Sequence, residues 1–292
     1  MLLAFDDETG FAQALAAEAR IELRTIARHR FPDGEIKLTL PARLPARVAV
    51  LRTLAHPNEK LVELLLAART ARSLGARELA LVAPYLAYMR QDAAFAEGET
   101  VSQKIVGGFL ADLFDAVITV DPHLHRTGTL AEAVPARTAI AMSAAPLIGR
   151  FIAAQGLRPL LLGPDGESAQ WVAQAALAGG LEHAVGRKTR RGDHEVDIEL
   201  PALDVRGRHV VLVDDVASTG RTLARAAEAL RAAGAARVDV AVTHALFVGD
   251  ALATLAAAGV REVWSTDSIA HPSNRIAVAP LIAQALRGLA GE

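Results

Sequence analysis

HVVLVDDVASTGRT, residues 209–222, is the stretch that decides how this chain folds. Its apolar, β-branched run at residues 210–213 is typical of a parallel strand buried on both faces. Two acids and a loop of small residues follow, and the alanine- and leucine-rich segment that begins near Thr222 is predicted to be a helix. Because ligands of open α/β sheets bind outside the carboxyl ends of the strands, the pattern predicts a ligand site in this loop.

The residues of the loop indicate the kind of ligand. Backbone N–H groups and small hydroxyl side chains within residues 218–222 can surround a phosphate at the positive end of the helix, but the lysine of a P-loop is missing. Asp214 and Asp215 would repel a bare triphosphate, yet they can accept hydrogen bonds from two sugar hydroxyls. The stretch therefore favours a ribose phosphate. A buried strand whose acids merely cap the next helix fits the same pattern.

The composition excludes several classes of protein. The chain has 292 residues, 52% of them hydrophobic, so a sizeable core is expected. Its formal net charge is -2 with both signs interspersed, which argues against a nucleic-acid or membrane partner. Since there is no membrane-spanning run and no secretory signal, we expect a cytoplasmic protein. The absence of cysteine excludes disulfides, thiolate catalysis and cysteine-ligated metals.

Strand and helix patterns alternate along both halves of the chain, which is typical of α/β proteins. Each half has an apolar strand that runs into acids, ITVDPH at residues 118–123 and VVLVDD at residues 210–215. We therefore predict two similar α/β domains, residues 1–142 and 143–292, each a mainly parallel sheet flanked by helices. The pattern also predicts that the central strand ends at Val213.

Seven segments resemble the motifs of ribose-phosphate pyrophosphokinases, in the order in which that family keeps them. They are RFPDGE (30–35), YMRQDAAFAEGETVSQK (88–104), TVDPHLH (119–125), GPDGES (163–168), KTR (188–190), VLVDDVASTGRT (211–222) and TDSIAHPSN (266–274). The spacing GE-x-x-S at residues 98–102 and the DPH form are closer to the archaeal-type enzymes. The segments span most of the chain, so we identify it by resemblance as a member of this family. The resemblance implies two domains of phosphoribosyltransferase type and a mobile catalytic loop at the polar segment KTRRGDHEV, residues 188–196.

The resemblance implies a reaction. The diphosphoryl group of MgATP would pass to the anomeric hydroxyl of ribose 5-phosphate, giving phosphoribosyl diphosphate and AMP, with attack at the β-phosphorus. Such catalysis rests on positioning and on neutralising charge. The family's active site takes part of its ATP contacts from a neighbouring subunit, so a homo-oligomer with a shared active site is expected.

The resemblance also implies the residues that carry the reaction. Those expected to stabilise the transferring group are Lys188 and Arg190. The expected ribose 5-phosphate contacts are Asp214, Asp215, Ser218, Thr219, Gly220, Arg221 and Thr222. The expected ATP contacts are Asp33, Gly34, Glu35, Arg90, Gln91 and Asp92, with residues 33–35 reaching a neighbour's ATP. The expected magnesium-associated residues are His123 and Asp165.

Two alternatives stay open. A phosphoribosyltransferase shares the central loop, but the two-domain length and the RQD and KTR segments argue against it. A catalytically silent regulatory relative would keep the fold and lose transfer. Its support is Arg221, where the family usually has a small residue, and the alanines at residues 93–94, where many relatives have a basic residue.

Overall fold

The computed structural model of the chain describes residues 1–156, 158–191, 195–201 and 203–291, with only the backbone at residues 188–191, 195–199 and 290. It divides into two compact units. Unit 1 contains Met1–Met142 and Val278–Glu292, and unit 2 contains Ser143–Ala277. No helix among the described residues is long and apolar enough to span a membrane.

Unit 1 is built on a seven-stranded sheet. Its strands are β1 (Leu2–Phe5), β2 (Leu23–Arg30), β3 (Ile36–Thr39), β4 (Arg47–Leu51), β5 (Glu78–Ala83), β6 (Ala116–Val120) and β7 (Thr138–Met142), and its helices begin with α1 (Thr9–Ala19), α2 (Pro57–Ser73), α3 (Ser102–Leu113) and α4 (Leu130–Ala133). The strand order is β3-β2-β1-β4-β5-β6-β7, and only β2 and β3 pair antiparallel. Because helices cover a parallel sheet on its faces, strands such as β6 are buried at every residue.

Unit 2 contains a six-stranded parallel sheet and a separate hairpin. Its strands are β8 (Leu160–Gly163), β9 (His183–Val185), β10 (Arg187–Arg191), β11 (Glu195–Glu199), β12 (His209–Ala217), β13 (Arg237–Ala245), β14 (Val260–Thr266) and β15 (Asn274–Ile276), and its helices are α5 (Ala145–Ala154), α6 (Ala169–Gly179), α7 (Arg221–Ala232) and α8 (Ala251–Ala257). The order β15-β14-β13-β12-β8-β9 places β12 inside the sheet, where residues 210–213 are fully buried.

The last helix, α9 (Ala279–Gly291), belongs to unit 1. Arg287 Nη1 donates a hydrogen bond to Glu18 O on α1 over 2.6 Å. The prediction that the second domain extends to residue 292 was therefore wrong for this helix. An apolar helix pattern tells which face is buried, but it does not tell which sheet or helix covers that face.

Two local predictions in unit 2 were also wrong. β12 continues through both acids to Ala217, because it keeps pairing with β13 as far as Ala245. Residues 187–191 and 195–199, which include most of the segment predicted as a loop, pair antiparallel instead as β10 and β11, with Lys188 opposite Ile198. Hydrogen bonds between backbone groups hold such a pair, so a polar sequence does not prevent it.

A close contact between α3 and α4 generates a stability prediction. A Cβ atom at Gly107 would lie 1.8 Å from Ala133 O, whereas at Gly108 it would meet nothing within 4 Å. Gly107→Ala should therefore lower the unfolding free energy by about 1–3 kcal/mol, because the helices must move apart. Gly108→Ala, the matched control in the same helix, should be neutral or raise it by up to about 1 kcal/mol. Urea denaturation measures both, and equal effects would contradict the packing argument.

Candidate active site

The loop between β12 and α7 has the geometry of an anion site. Gly220 is the N-cap of α7 with φ +71°, and no side chain caps the helix. A Cβ at Gly220 would lie 3.3 Å from Ala251 O, so both the conformation and the space favour glycine. Arg221 is already helical, so its side chain does not disturb the turn. The first amides of α7 have no carbonyl partner within the helix and can meet an anion.

Three carboxylates lie near this loop. Asp215 is buried, and Asp214 Oδ1 accepts a hydrogen bond from Asp215 N over 3.0 Å. Burial raises the pKa of Asp214 well above its usual value, and the charges of Asp215 and Asp165 raise it further. The arrangement therefore favours a ligand that supplies hydrogen-bond donors or positive charge.

Asp165 follows β8 and is the N-cap of the short 3-10 helix Gly166–Ser168. Its Oδ1 accepts a hydrogen bond from Glu167 N over 3.0 Å, and Ser168 Oγ donates to Asp165 O over 2.6 Å. The capping contacts fix the carboxylate where its charge acts on Asp214. In unit 2 the structure thus brings together the predicted magnesium-associated acid and the predicted ribose 5-phosphate residues.

In unit 1, the predicted ATP contacts at residues 90–92 differ in their surroundings. The Asp92 side chain is 2% exposed and accepts hydrogen bonds from Arg126 Nη1 over 2.7 Å and Arg126 N over 3.2 Å. Burial acts to raise the pKa of Asp92, but these hydrogen bonds outweigh it and lower that pKa. Gln91 Nε2 donates to Ala93 O over 3.1 Å, whereas Arg90 is exposed. Asp92 therefore holds this segment in place through its hydrogen bonds with Arg126, and Arg90 is exposed to solvent.

His123 lies beyond the end of β6. Its Nε2 lies 2.5 Å from Nε2 of His125, with the rings edge to face at 3.8 Å between centroids. Among the described residues, no three His, Cys, Asp or Glu side chains converge as a metal site. The prediction that His123 is associated with magnesium stays a prediction.

The predicted hairpin at residues 33–35 is present between β2 and β3. Gly34 has φ +95° and donates its N–H to Phe31 O over 3.0 Å, and Glu35 N donates to Asp33 Oδ1 over 3.1 Å. All three residues are exposed, which a role at a neighbouring subunit requires. The side chains of Lys188 and Arg190 lie outside the described residues.

A buried cluster of charges in unit 1 was not predicted. Glu63 is 1% exposed and lies 2.5 Å from Arg28 and from Arg52. Arg52, also 1% exposed, lies 2.6 Å from Asp7 and packs 4.4 Å from the centre of the Phe5 ring. Buried charges are costly unless paired, so removing one member would leave another uncompensated. The available signal was an arginine directly after one apolar strand and acids directly after another.

Glu8, whose Oε2 lies 3.6 Å from Arg52 Nη1, belongs to the same cluster and connects it to the segment after β5 that contains residues 90–92. Thr53 N donates to Glu8 Oε1 over 2.8 Å, and Lys60 Nζ donates to Thr53 O over 2.8 Å. Thr53 Oγ1 in turn accepts a hydrogen bond from Tyr85 N over 3.2 Å. Tyr85 stands at the start of that segment, so Glu8 and Lys60 position it through Thr53.

Comparison with known proteins gives the family. Residues 1–113 match the family model described as the N-terminal domain of ribose phosphate pyrophosphokinase, and residues 131–257 match the phosphoribosyl transferase domain. A ribose-phosphate pyrophosphokinase from Methanopyrus kandleri is 37% identical, with 100% of both chains covered. The chain belongs to the ribose-phosphate pyrophosphokinase family. The predicted family is thereby confirmed.

Two further pyrophosphokinase relatives agree with this result. The ribose-phosphate pyrophosphokinase of Halobacterium salinarum is 35% identical over 98% of this chain and 100% of its own. The crystal structure of phosphoribosylpyrophosphate synthetase from Mycobacterium smegmatis has a TM-score of 0.86 at 25% identity, covering 100% of this chain and 98% of its own. The predicted fold class is confirmed, and the identities agree with a closer likeness to the archaeal form.

The buried cluster generates a prediction about pH. Burial raises the pKa of Glu8 from 4.5 to about 7, although the charge of Arg52 and the N–H of Thr53 act against it. The folded chain then binds this proton more tightly than the unfolded chain, so Glu8 makes the unfolding free energy fall as pH rises from about 4.5 to about 7. Glu8→Gln cannot titrate and should show a smaller fall.

Urea denaturation across that pH range measures the effect. Glu18→Gln, an exposed acid at the end of α1, is the control and should follow the unsubstituted protein. A full fall in Glu8→Gln would assign the titration to another group.

Proposed function

We propose that this chain transfers the diphosphoryl group of MgATP to the anomeric hydroxyl of ribose 5-phosphate, the activity for which its family is named. The observation that carries the proposal is in unit 2, where an uncapped helix start stands beside acids suited to a sugar diol. The comparisons give no support to a phosphoribosyltransferase or to a silent regulatory subunit. Because ATP and sugar phosphates are metabolites of the cytoplasm, we propose that the chain acts there.

The proposed ribose 5-phosphate contacts divide by chemistry. The 5-phosphate would be bound by the amides at the start of α7 and by the hydroxyls of residues 218, 219 and 222. Arg221, exposed at the first position of α7, adds a positive charge on the same side. Asp214 and Asp215 would accept hydrogen bonds from the two ring hydroxyls, which offsets the repulsion between these acids. The sugar would thus be held at both ends.

Magnesium fits the acids of unit 2. The ion is commonly held by one or two carboxylates together with substrate phosphates and water, and Asp165, Asp214 and Asp215 offer such oxygen atoms. Burial raises the pKa of Asp214 and the charges of Asp215 and Asp165 raise it further, so a cation would stabilise the ionised acids. We propose that these acids would hold it. His123, in unit 1, stays the other residue proposed to be associated with magnesium. When bound, magnesium supplies positive charge to the phosphates.

The remaining roles concern ATP and the transferring group. We propose that Arg90 binds an ATP phosphate, that Gln91 contacts the nucleotide, and that Asp92 holds Arg126 in place beside them. Lys188 and Arg190 are proposed to stabilise negative charge on the diphosphoryl group as it is transferred. The exposed turn at residues 33–35 would reach ATP of a neighbouring subunit, so we propose a homo-oligomer with a shared active site.

Phosphorus NMR tests the reaction. The protein with MgATP should form AMP and a sugar diphosphate only when ribose 5-phosphate is added. Lys188→Ala should lower the turnover by about 100-fold or more, because a neutral methyl cannot compensate the transferring charge. Arg69→Ala, which removes an exposed basic side chain on α2, is the control and should keep normal turnover.

Other outcomes would contradict the proposal. Formation of ADP would mean transfer of the γ-phosphoryl group alone. No turnover with both ligands bound would favour the silent regulatory subunit, and normal turnover of Lys188→Ala would remove the role proposed for that side chain.

Asp214 generates a separate prediction about substrate binding. Asp214→Asn loses the charge that accepts the sugar hydroxyl protons, so KM for ribose 5-phosphate should rise by about 10-fold or more while KM for ATP changes less. Asp250→Asn, an exposed acid in the loop before α8, should leave both values unchanged. Steady-state kinetics with each substrate varied in turn measures them. An unchanged KM for the sugar phosphate would contradict the assignment.

A further inference from the structure

A cavity of about 490 Å³ lies at the amino ends of the strands of unit 1. It is lined by the first residues of β4, β5, β6 and β7 and by the end of α9. Residues 90–92 and His123, which are proposed to bind ATP and magnesium, follow the carboxyl ends of β5 and β6. These ends are opposite to the amino ends at which the cavity lies. The cavity is therefore separate from the proposed active site, and its volume is within the usual range of ligand sites.

Small residues in register create the space. Ala49 on β4 lies opposite Ala80 on β5, which lies opposite Ala116 on β6. Side chains opposite each other in neighbouring strands point to the same face, so three methyl groups form the floor. Leu286 and Leu289 of α9 line the cavity as well. No aromatic side chain is among the described residues that line it, so its walls suit an aliphatic group better than a nucleobase.

The charged residues at the cavity do not balance. Glu78 pairs with Arg47 over 3.0 Å, and Asp115 pairs with Arg72 over 2.7 Å. Arg137 also lines the cavity and, within the part of the chain that the structure describes, makes no hydrogen bond, although its charge helps to lower the pKa of Asp115 against the effect of burial. Arg47 and Arg72 each have an acid as an ion-pair partner, whereas the guanidinium group of Arg137 has no carboxylate of the described residues bound to it.

Arg287 adds a second unmatched charge. It lines the cavity from α9, and its one hydrogen bond among the described residues goes to the uncharged carbonyl of Glu18. Two guanidinium groups thus stand at an aliphatic cavity without a carboxylate of their own. Guanidinium binds carboxylate and phosphate well, because its N–H groups match two oxygen atoms.

From these observations we infer that the cavity binds an amphipathic anion, an aliphatic chain that ends in a carboxylate. The chain would lie over the three alanines and against Leu286 and Leu289, and the head group would bind Arg137 and Arg287. Apolar contact supplies most of the affinity and the two arginines select the charge. The inference does not depend on the proposed reaction, since the cavity lies at the amino ends of the strands and the proposed active-site residues lie at their carboxyl ends.

Calorimetric titration of the full-length protein with decanoate tests the inference. Decanoate should bind saturably, and decan-1-ol, which has no charge, should bind at least about 10-fold more weakly. Arg137→Gln/Arg287→Gln should weaken decanoate by about 10-fold or more, whereas Arg69→Gln, an exposed arginine on α2, should not. Ala80→Leu fills the cavity and should abolish binding. Saturating MgATP should leave the affinity unchanged.

Several results would overturn the inference. Absence of saturable decanoate binding would do so, as would equal binding by the unsubstituted protein and Ala80→Leu, which would place the ligand elsewhere. Competition with MgATP would assign the binding to the nucleotide site. If the arginine variants change the oligomeric state on sedimentation and decanoate does not bind, the face is covered by a second copy of the chain.

Discussion

The parallel pairing of β12 with β13 is the constraint on which unit 2 depends. Residues 210–213 are buried on both faces, and the backbone ladder continues past them to Ala217. The ladder holds Asp214 and Asp215 within the strand, so their positions are set by regular backbone geometry. A rigid strand brings two carboxylates together at a cost that a flexible loop would avoid by moving them apart. Burial is the main cause of the raised pKa of Asp214, and the charges of Asp215 and Asp165 raise it further.

The two units treat buried charge in different ways. In unit 1, Glu63 lies between Arg28 and Arg52, so opposite charges compensate each other inside the protein. In unit 2, Asp214 is influenced by two further acids, Asp165 and Asp215. A cluster of compensated charges is typical of residues that stabilise the fold. Here it fixes, through Thr53, the segment that begins at Tyr85. Neighbouring acids of this kind are typical of a site that gains stability when a ligand or cation arrives.

The start of α7 explains why Arg221 is compatible with a phosphate loop. Positive φ is required at Gly220 alone, and Arg221 already has helical geometry. A long side chain at the first helical position points outward and leaves the turn unchanged. Arg221, which supported a silent relative on sequence grounds, therefore adds a cation beside the start of α7. The helix dipole already favours an anion there.

By itself, the sequence determined the α/β class, the positions of most strands and helices, the loop between β12 and α7, and the family. These follow from local patterns, since buried strands need apolar runs and turns need particular residues. Tertiary structure decided what depends on partners distant in the chain: the return of α9 to unit 1, the length of β12, and the pairing of Arg52 with Glu63. The same holds for the contact of Asp92 with Arg126. A single residue does not reveal its partner, because charge pairing and strand extension depend on which neighbour the fold supplies.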